Sequence, residues 1–342
     1  MDNQSNFRDT DAISPEDVSI RLPIDFDPVR LVKDLEAVRH IDLAPQPGPY
    51  HDGAWKGISL HSQSGKQSAH PGYAGLDGYY PTDALKHTPY MKEILDGLKC
   101  PKKVVRLLTL PPGVEIGEHN DAWANFYCGT LRLHIPIITH PDVEFVINDH
   151  RCIWKAGEFW YGDFSLPHWV KNGSNITRIH MVIDVEITDW VLTLFPKDFI
   201  QRVQSHGDGI AKHRDAIPTT AADLAPFVCD FRMPPEVMPL FGGGKKMAEM
   251  GAGARGQVRV DGNRLVVLLN DQPSCALERV GPTTFTIVGL GAGCDINFAL
   301  SGGRANQMNL VLRGLPDDLY AAQLGYQQGP MIYSRKIDLP IM

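Results

Sequence analysis

The stretch TRIHMVIDV, residues 177–185, alternates polar and apolar side chains with a period of two. The even-numbered positions share one face of an extended chain and are Arg178, His180, Val182 and Asp184. Alternation of this kind is typical of a β-strand whose two faces meet different surroundings. The stretch therefore predicts a strand that presents a guanidinium, an imidazole and a carboxylate on the same side.

Four more runs rich in β-branched and aromatic residues precede this strand, and turn residues separate them. They are VVRLLTL (104–110), TLRLHIPII (130–138), VEFVIN (143–148) and CIWKAGEFWYG (152–162). Short strands at such close spacing favour an antiparallel sandwich or barrel. Helices are expected on either side of this block of strands, at residues 28–40, 87–97 and 188–204.

The chain is expected to divide into four parts: residues 1–20, 21–204, 205–256 and 257–342. The first is a loose polar tail, and the second is the main β-rich domain. The third is a helical and glycine-rich connector, and the fourth is a small β-rich C-terminal domain of unknown role. Within the main domain, the loop-rich segment 41–80 contains one predicted short strand, WKGISLH (55–61), and is interpreted as a lid over the mouth of the site.

Composition argues against several classes of partner. The net charge is −7 and no run of lysine or arginine occurs, which argues against a nucleic acid or a membrane surface. No stretch of about 18 apolar residues is present to span a bilayer, and the N-terminal stretch lacks the apolar core of a secretory signal. The 6 scattered cysteines are interpreted as reduced thiols. We therefore expect a cytoplasmic protein.

His119 and Asp121 stand one residue apart, just after a Pro-Pro-Gly turn. On an extended segment, residues i and i+2 point to the same side, so that an imidazole and a carboxylate can ligate one metal ion. His168, in the downstream segment SLPHWV, is the candidate for a third ligand from a neighbouring strand. Two histidines and one carboxylate leave three metal positions open, which is the facial triad of non-haem Fe(II) oxygenases.

Basic residues in the same block of strands indicate what fills the open positions. 2-Oxoglutarate would take two of them and O2 the third, and the far carboxylate of 2-oxoglutarate needs a buried cation. Arg178 follows His168 in the chain, and its planar guanidinium fits a carboxylate. The alternative is a buried ion pair between Arg178 and Asp184. Arg132 and His134 share another strand face, which either lines the cavity and holds the cosubstrate or faces solvent.

The order and spacing of these motifs resemble those of the aspartyl/asparaginyl β-hydroxylases and the related bacterial cis-proline hydroxylases. The resemblance covers residues 104–185 and is carried by RLLTLPPGVEIGEHND, LRLHIPIITHPD, WKAGEFWYGDFSLPHWVKN and TRIHMVIDV. It implies a double-stranded β-helix, a cupin-like jelly roll. The expected fold class is therefore mainly β (α+β), with helices flanking the jelly roll and a small β-rich domain after it.

The resemblance also implies roles for single residues. His119, Asp121 and His168 would ligate Fe(II), and Arg178 would bind the C5 carboxylate of 2-oxoglutarate. Further contacts to this cosubstrate would come from Arg132 and His134. Because one branch of the family lacks the acidic ligand, Asp121 groups this chain with the proline hydroxylases. The acidic ligand also argues against halogenation, which needs that metal position vacant for chloride.

We therefore predict an Fe(II)- and 2-oxoglutarate-dependent dioxygenase that uses O2 to hydroxylate an unactivated C–H bond. The substrate would be an amino acid, a peptidyl residue or a related small metabolite. Desaturation or cyclisation would use the same residues. The alternatives are a cupin-like protein that binds or senses a metal or small ligand without turnover, and a zinc hydrolase. Neither alternative gives Arg178 a role.

Two residues are candidates for substrate contacts. Arg106 in VVRLLTL either binds a substrate carboxylate or lies on the surface of an edge strand. Trp123, two positions beyond Asp121, is a candidate for shaping the pocket. The C-terminal β-rich domain has three candidate roles, namely covering the active site, binding a carrier or large substrate, and forming the interface of a homodimer.

Overall fold

The structure is a computed structural model that describes residues 15–46, 53–68, 70, 72–121, 124–205, 209–234, 241, 254–313 and 332–339. These residues divide into two compact units. The N-terminal unit holds residues 15–72 and 79–210, and the C-terminal unit holds residues 73–78 together with those from 211 onward. Within the described ranges, no helix has the length and apolar character needed to cross a lipid bilayer.

The N-terminal unit is built mainly of strands. Its helices are α1 (Pro15–Val18), α2 (Pro28–Ala37), α3 (Pro89–Gly97), α4 (Asp189–Leu192) and α5 (Lys197–Ser205), with a 3-10 helix at Asp83–His87. Its strands are β1 (Ser19–Asp25), β2 (Ala44–Pro45), β3 (Lys56–Gln63), β4 (Tyr79–Pro81), β5 (Lys102–Leu110), β6 (Glu115–His119), β7 (Thr130–Ile138), β8 (Val143–Ile147), β9 (His150–Arg151), β10 (Glu158–Gly162), β11 (His168–Asn172) and β12 (Arg178–Glu186).

Capping residues and prolines determine where several of the helices begin and end. The Asp27 side chain accepts hydrogen bonds from the backbone amides of Val29 and Arg30, which fixes the start of α2. α3 ends at Gly97, as predicted. The predicted helix at 188–204 is instead split into α4 and α5, because Pro196 lacks the amide hydrogen that would continue α4.

Strands β5 to β12 are divided equally between two antiparallel sheets. The larger sheet contains the order β10-β7-β12-β5, extended by β1 beyond β10 and by β3 and β2 beyond β5. The smaller sheet has the order β6-β11-β8-β9. Apart from β8 and β9, which pair within the smaller sheet, successive strands thus cross from one sheet to the other, which is the winding of a jelly roll. The predicted double-stranded β-helix is confirmed.

The hydrophobic core contains side chains from both sheets. Leu110 of β5 packs in one cluster with Ile116 of β6, Phe145 and Ile147 of β8, and Val170 of β11. Burial of these apolar groups is the main source of stability for such a fold. Strand β12 is buried on both faces, so its polar face with Arg178 and His180 lies inside the protein instead of meeting solvent.

Two segments differ from the sequence-based expectation. The middle of the predicted lid at 41–80 is strand β3, which confirms the short strand predicted at WKGISLH (55–61). It pairs with β5 and buries Ile58 and Leu60. A strand within the sheet cannot swing over the site as a lid. Regular structure also begins earlier than expected, because α1 and the start of β1 lie within the predicted tail 1–20.

The C-terminal unit is an antiparallel meander in which each strand pairs with the next. Its elements are α6 (Ala221–Leu224), a 3-10 helix at Ala225–Phe227, and strands β13 (Cys229–Arg232), β14 (Arg255–Asp261), β15 (Arg264–Leu269), β16 (Gln272–Arg279), β17 (Thr284–Ile287), β18 (Cys294–Ser301), β19 (Arg304–Arg313) and β20 (Ile332–Asp338). Phe227, Phe285 and Phe298 pack together in its interior. β13 lies within the predicted connector and pairs with β14.

Candidate metal centre

His119, Asp121 and His168 converge at one end of the smaller sheet. β6 ends at His119 and β11 begins at His168, and the two residues lie directly opposite each other in the antiparallel pair. Their ring centroids are 4.2 Å apart. The Nε2 atom of each ring is 3.9 Å from a carboxylate oxygen of Asp121. The structure thus brings together the three residues that the spacing predicted as ligands, with one ligand atom from each within 4.8 Å of the others.

Backbone carbonyls determine which nitrogen of each ring is available to a metal. Nδ1 of His119 is 2.8 Å from the Gly117 oxygen, and Nδ1 of His168 is 2.9 Å from the Leu166 oxygen. Because a carbonyl oxygen only accepts, Nδ1 carries the proton in both rings and Nε2 keeps its lone pair. Two imidazole nitrogens and one carboxylate oxygen suit a divalent transition metal such as Fe(II). The residues present therefore fit the predicted metal.

The surroundings favour the protonation states that ligate a metal. Burial by itself would raise the pKa of Asp121, but Arg132 and the neighbouring imidazoles lower it overall. Burial lowers the pKa of His168 to about 4, although the Asp121 carboxylate opposes this shift. At neutral pH, Asp121 is therefore a carboxylate and His168 is a neutral imidazole, as metal binding requires.

Arg132 joins two carboxylates. Its Nε and Nη2 donate to the two oxygens of Asp184 at 2.7 and 2.9 Å, and its Nη1 donates to Asp121. Arg132 and Asp184 lie opposite each other where β7 pairs with β12. Arg132 is partly buried, so the alternative of a solvent-exposed strand face is wrong for this residue. Through Arg132, the candidate ligand Asp121 is tied to strand β12.

Arg106 lies on the other side of Asp184. Its Nη2 is 3.6 Å from the Asp184 carboxylate, and its Nη1 donates to Oε1 of Gln46 at 2.8 Å. Only 3% of Arg106 is exposed, because β5 lies between β12 and β3 within the sheet. The alternative of a surface arginine on an edge strand is therefore wrong. Trp123, the other candidate substrate contact, lies outside the described residues.

Removing the Asp184 carboxylate should destabilise the fold, because it leaves Arg106 and Arg132 without the anion they share. We expect Asp184→Ala to lower the free energy of unfolding by about 3–5 kcal/mol, as for other broken buried ion pairs. Urea denaturation of both proteins measures this difference. The matched control is Asp142→Ala, at an exposed carboxylate whose loss should change stability by less than about 0.5 kcal/mol. Equal effects of the two substitutions would contradict the prediction.

Arg178 is a buried cation without a carboxylate partner among the described residues. Its guanidinium lies 5.6 Å from the centre of the Phe145 ring, and its Nη2 donates to Nδ1 of His180 at 2.8 Å. Burial lowers the pKa of Arg178 to about 9. The alternative ion pair with Asp184 is wrong, because six residues on an extended strand separate the two by about 20 Å. An unneutralised buried cation is costly and is a candidate receptor for an anionic ligand.

His134 lies beside His180, and together with Arg178 the two histidines form a buried polar group. Its Nδ1 is 3.2 Å from Nδ1 of His180, and its ring stacks on Phe164 at 4.9 Å between centroids. Three polar atoms of the group, Nε of Arg178 and Nε2 of both histidines, have no hydrogen-bond partner among the described residues. A bound polar ligand would satisfy such atoms, which native proteins rarely leave unpaired. His134 is buried, so a solvent-facing role is wrong for this residue as well.

Three buried neutral histidines should make the metal-free protein sensitive to acid. Burial lowers the pKa of His168 to about 4, and it lowers the pKa values of His134 and His180 well below the ordinary 6.5. The unfolded chain therefore binds protons below pH 6.5 that the folded chain excludes, so stability is complete above this pH and falls as the pH decreases. Each histidine contributes up to about 1.4 kcal/mol per pH unit to the slope of the free energy of unfolding against pH.

Urea denaturation of the metal-free protein between about pH 7 and pH 5 measures this slope. His180→Gln should reduce it by up to about 1.4 kcal/mol per pH unit, the contribution of one histidine. A free energy of unfolding that stays constant over this range would contradict neutral burial of the three rings.

The sequence alone did not identify His180 or the true partner of Asp184. The alternation of residues 177–185 placed both on the same strand face as Arg178. Their partners Arg132 and His134 come from β7, and the register between β7 and β12 decides which side chains meet. A prediction of the register between β7 and β12 would have identified these partners.

Comparison with known proteins agrees with the predicted motifs. Residues 30–187 match the family model described as Aspartyl/Asparaginyl beta-hydroxylase. The L-proline cis-4-hydroxylase of Rhizobium meliloti (strain 1021) is 24% identical over 183 residues, an alignment that covers 53% of this chain and 63% of that enzyme. The chain thus spans less than two thirds of the length of this curated relative.

Solved structures of oxygenases also align with the chain. An oxidoreductase of the 2OG-Fe(II) oxygenase family from Burkholderia pseudomallei is 16% identical with a TM-score of 0.37, covering 49% of this chain and 85% of that one. A prolyl-4-hydroxylase from Pseudomonas putida is 14% identical with a TM-score of 0.31, covering 50% and 91%. The jelly-roll assignment itself is based on the strand order of this chain. The family match spans strands β5 to β12 and the triad they carry, so residues 30–187 of this chain are similar to the aspartyl/asparaginyl β-hydroxylase family.

Proposed function

We propose that this protein is an Fe(II)- and 2-oxoglutarate-dependent dioxygenase that hydroxylates an unactivated C–H bond. The observation that carries the proposal is the buried Arg178 cation, which has no described carboxylate partner and lies in the same jelly roll as the triad. A metal-binding protein without turnover, or a zinc hydrolase, would have no use for such a cation. A cosubstrate with a second carboxylate would form an ion pair with this cation.

Each residue of the site has a defined task in this reaction. His119 and His168 would hold the metal through Nε2, and Asp121 would hold it through a carboxylate oxygen. When bound, the iron would supply the activation of O2 that is coupled to decarboxylation of 2-oxoglutarate to succinate. Arg178 would orient the cosubstrate by its far carboxylate. Aromatic side chains around His134 and Arg178 exclude water from this end of the site.

Arg132 is proposed to position Asp121 and to contribute to cosubstrate binding. Its guanidinium is held by both oxygens of Asp184, which fixes its orientation before any ligand arrives. Preorganised charges of this kind need no rearrangement when a ligand binds. Arg106 shares the same carboxylate, and a contact from Arg106 to a substrate carboxylate is part of the proposal.

The proposed substrate is an amino acid, a peptidyl residue or a related small metabolite. The relative from Rhizobium meliloti is named for hydroxylating L-proline, which makes free L-proline the first compound to test. A cytoplasmic location, homodimer formation and the absence of nucleic-acid and membrane partners remain predictions from the sequence.

The test is formation of succinate from 2-oxoglutarate by the Fe(II)-loaded full-length protein. A panel of free amino acids and short peptides is screened, and the products are analysed by mass spectrometry. We expect at least one compound to stimulate succinate formation and to gain one oxygen atom. Loss of two hydrogens would identify desaturation or cyclisation at the same site. If 2-oxoglutarate neither binds to the protein nor is consumed, the proposed function is wrong.

A further inference from the structure

We propose that His180 is a second receptor for the carboxylate that Arg178 binds, and that it donates a hydrogen bond to this carboxylate through Nε2. The inference builds on the proposed function, since the carboxylate is the one at the far end of 2-oxoglutarate. It adds a residue to the site and assigns this contact to His180 in place of His134.

The position of His180 suits this role. His180 and Arg178 are two residues apart on β12 and therefore lie on the same face of the strand. Both side chains are more than nine-tenths buried, with 2% and 4% exposure. The His180 ring stacks on Trp154 with the centroids 6.2 Å apart, and this packing restricts its orientation.

Hydrogen bonding to Arg178 fixes the proton on the His180 ring. Nη2 of Arg178 lies 2.8 Å from Nδ1 of His180, and a guanidinium can only donate. Nδ1 of His180 is therefore an acceptor, the ring is neutral, and its proton is on Nε2. The Nε2–H group is a buried donor without a partner among the described residues.

His134 carries its proton on the other ring nitrogen, Nδ1. Nδ1 of His134 lies 3.2 Å from Nδ1 of His180, which already accepts from Arg178. His134 must therefore donate through Nδ1, and its own Nε2 keeps a lone pair. An atom with a lone pair repels a carboxylate oxygen, so His134 cannot bind a carboxylate in this arrangement. Arg178 and His180 are the members of the group that have buried donors to offer.

A carboxylate matches the two donors that remain. Nε of Arg178 and Nε2 of His180 are both buried and both lack a partner among the described residues. A carboxylate accepts several hydrogen bonds at once and neutralises the guanidinium, which otherwise has no counter-ion among the described residues. A neutral ligand would satisfy the donors but would leave the cation uncompensated. The group therefore selects a 2-oxo acid with a second carboxylate over one that ends in a methyl group.

The experiment compares two 2-oxo acids of equal chain length, 2-oxoglutarate and 2-oxopentanoate, which lacks the far carboxylate. Their dissociation constants are measured by calorimetry with the full-length protein loaded with redox-inert Ni(II). Wild type should prefer 2-oxoglutarate. His180→Leu should reduce this preference by about 10- to 100-fold, the effect of losing a hydrogen bond to a charged group. Binding of 2-oxopentanoate should change little.

His180→Gln is the conservative variant, because a glutamine amide can accept from Arg178 and still donate to a carboxylate. It should retain most of the preference, and if His180→Leu does not fold, complete loss of the preference in His180→Gln contradicts the inference. His140→Leu, at a half-buried histidine outside the site, is the matched control and should leave both dissociation constants unchanged.

The outcomes separate the inference from the proposed function. If wild type binds 2-oxoglutarate selectively and His180→Leu keeps the full selectivity, the role of His180 is wrong and the proposed function stands. If both acids weaken equally in His180→Leu while His180→Gln restores neither, His180 is merely structural and the inference fails. If wild type shows no preference for 2-oxoglutarate, both are overturned.

Discussion

Asp121→Ala is expected to abolish turnover and to weaken Fe(II) binding by more than about 100-fold. Changes in the outer shell of a metal site already cost about 10- to 100-fold in affinity, and loss of a direct ligand should cost more. Asp121 also supplies the only negative charge of the His119–Asp121–His168 triad. Equilibrium dialysis against Fe(II) under anaerobic conditions measures the affinity, and succinate release measures the turnover.

The control for this prediction is a second His-x-Asp pair, His140 and Asp142, which lies outside the triad. His140→Ala removes a half-buried imidazole that lies beside the Asp142 carboxylate. The pair resembles the His119–Asp121 motif in sequence, but no third ligand converges on it among the described residues. We expect this variant to bind Fe(II) like wild type. Wild-type affinity in Asp121→Ala would show that the metal, if bound, is held elsewhere.

Arg178→Met is expected to have opposite effects on binding and on stability. It should weaken binding of 2-oxoglutarate by at least about 30-fold, the equivalent of about 2 kcal/mol, since a buried charge pair is lost. In the ligand-free protein it should raise the free energy of unfolding by about 1–4 kcal/mol, because a buried cation is replaced by an apolar side chain. Burial disfavours the charge of Arg178 and lowers its pKa to about 9.

Calorimetric binding and urea denaturation test the two halves of this prediction on the same samples. Arg39→Met, at an exposed arginine, should change neither quantity appreciably. A cation that only stabilises the fold would give the reverse result for stability, with Arg178→Met less stable than wild type. That outcome would remove Arg178 from the binding site and leave the proposed function without its main support.

The positions of strands along the chain and two of the metal ligands were accessible from the sequence because both depend on local patterns. Alternation in residues 177–185 predicted β12, and the spacing of His119 and Asp121 predicted two ligands on one side of the chain. The third ligand, His168, required the assumption that β6 and β11 are neighbours. The structure places His168 directly opposite His119 in that pair.

Contacts between distant strands were not accessible in the same way. Arg178 and Asp184 share a face, which suggested an ion pair, but the strand is extended and holds them apart. The carboxylate of Asp184 meets Arg132 because β7 lies beside β12 in a register that the sequence does not encode locally. The segment 41–80 was interpreted as a lid from its glycine and proline content, and the short strand predicted within it is β3, which pairs with β5 and is buried around Ile58 and Leu60.

The most direct test of the central claim is an anaerobic titration of the Fe(II)-loaded protein with 2-oxoglutarate, observed by visible absorption. Chelation of Fe(II) by a 2-oxo acid gives a weak visible band. We predict that this band saturates at one 2-oxoglutarate per chain in the wild type, and that Asp121→Ala does not develop it. A wild-type protein that binds Fe(II) but gives no band at saturating 2-oxoglutarate would contradict the account.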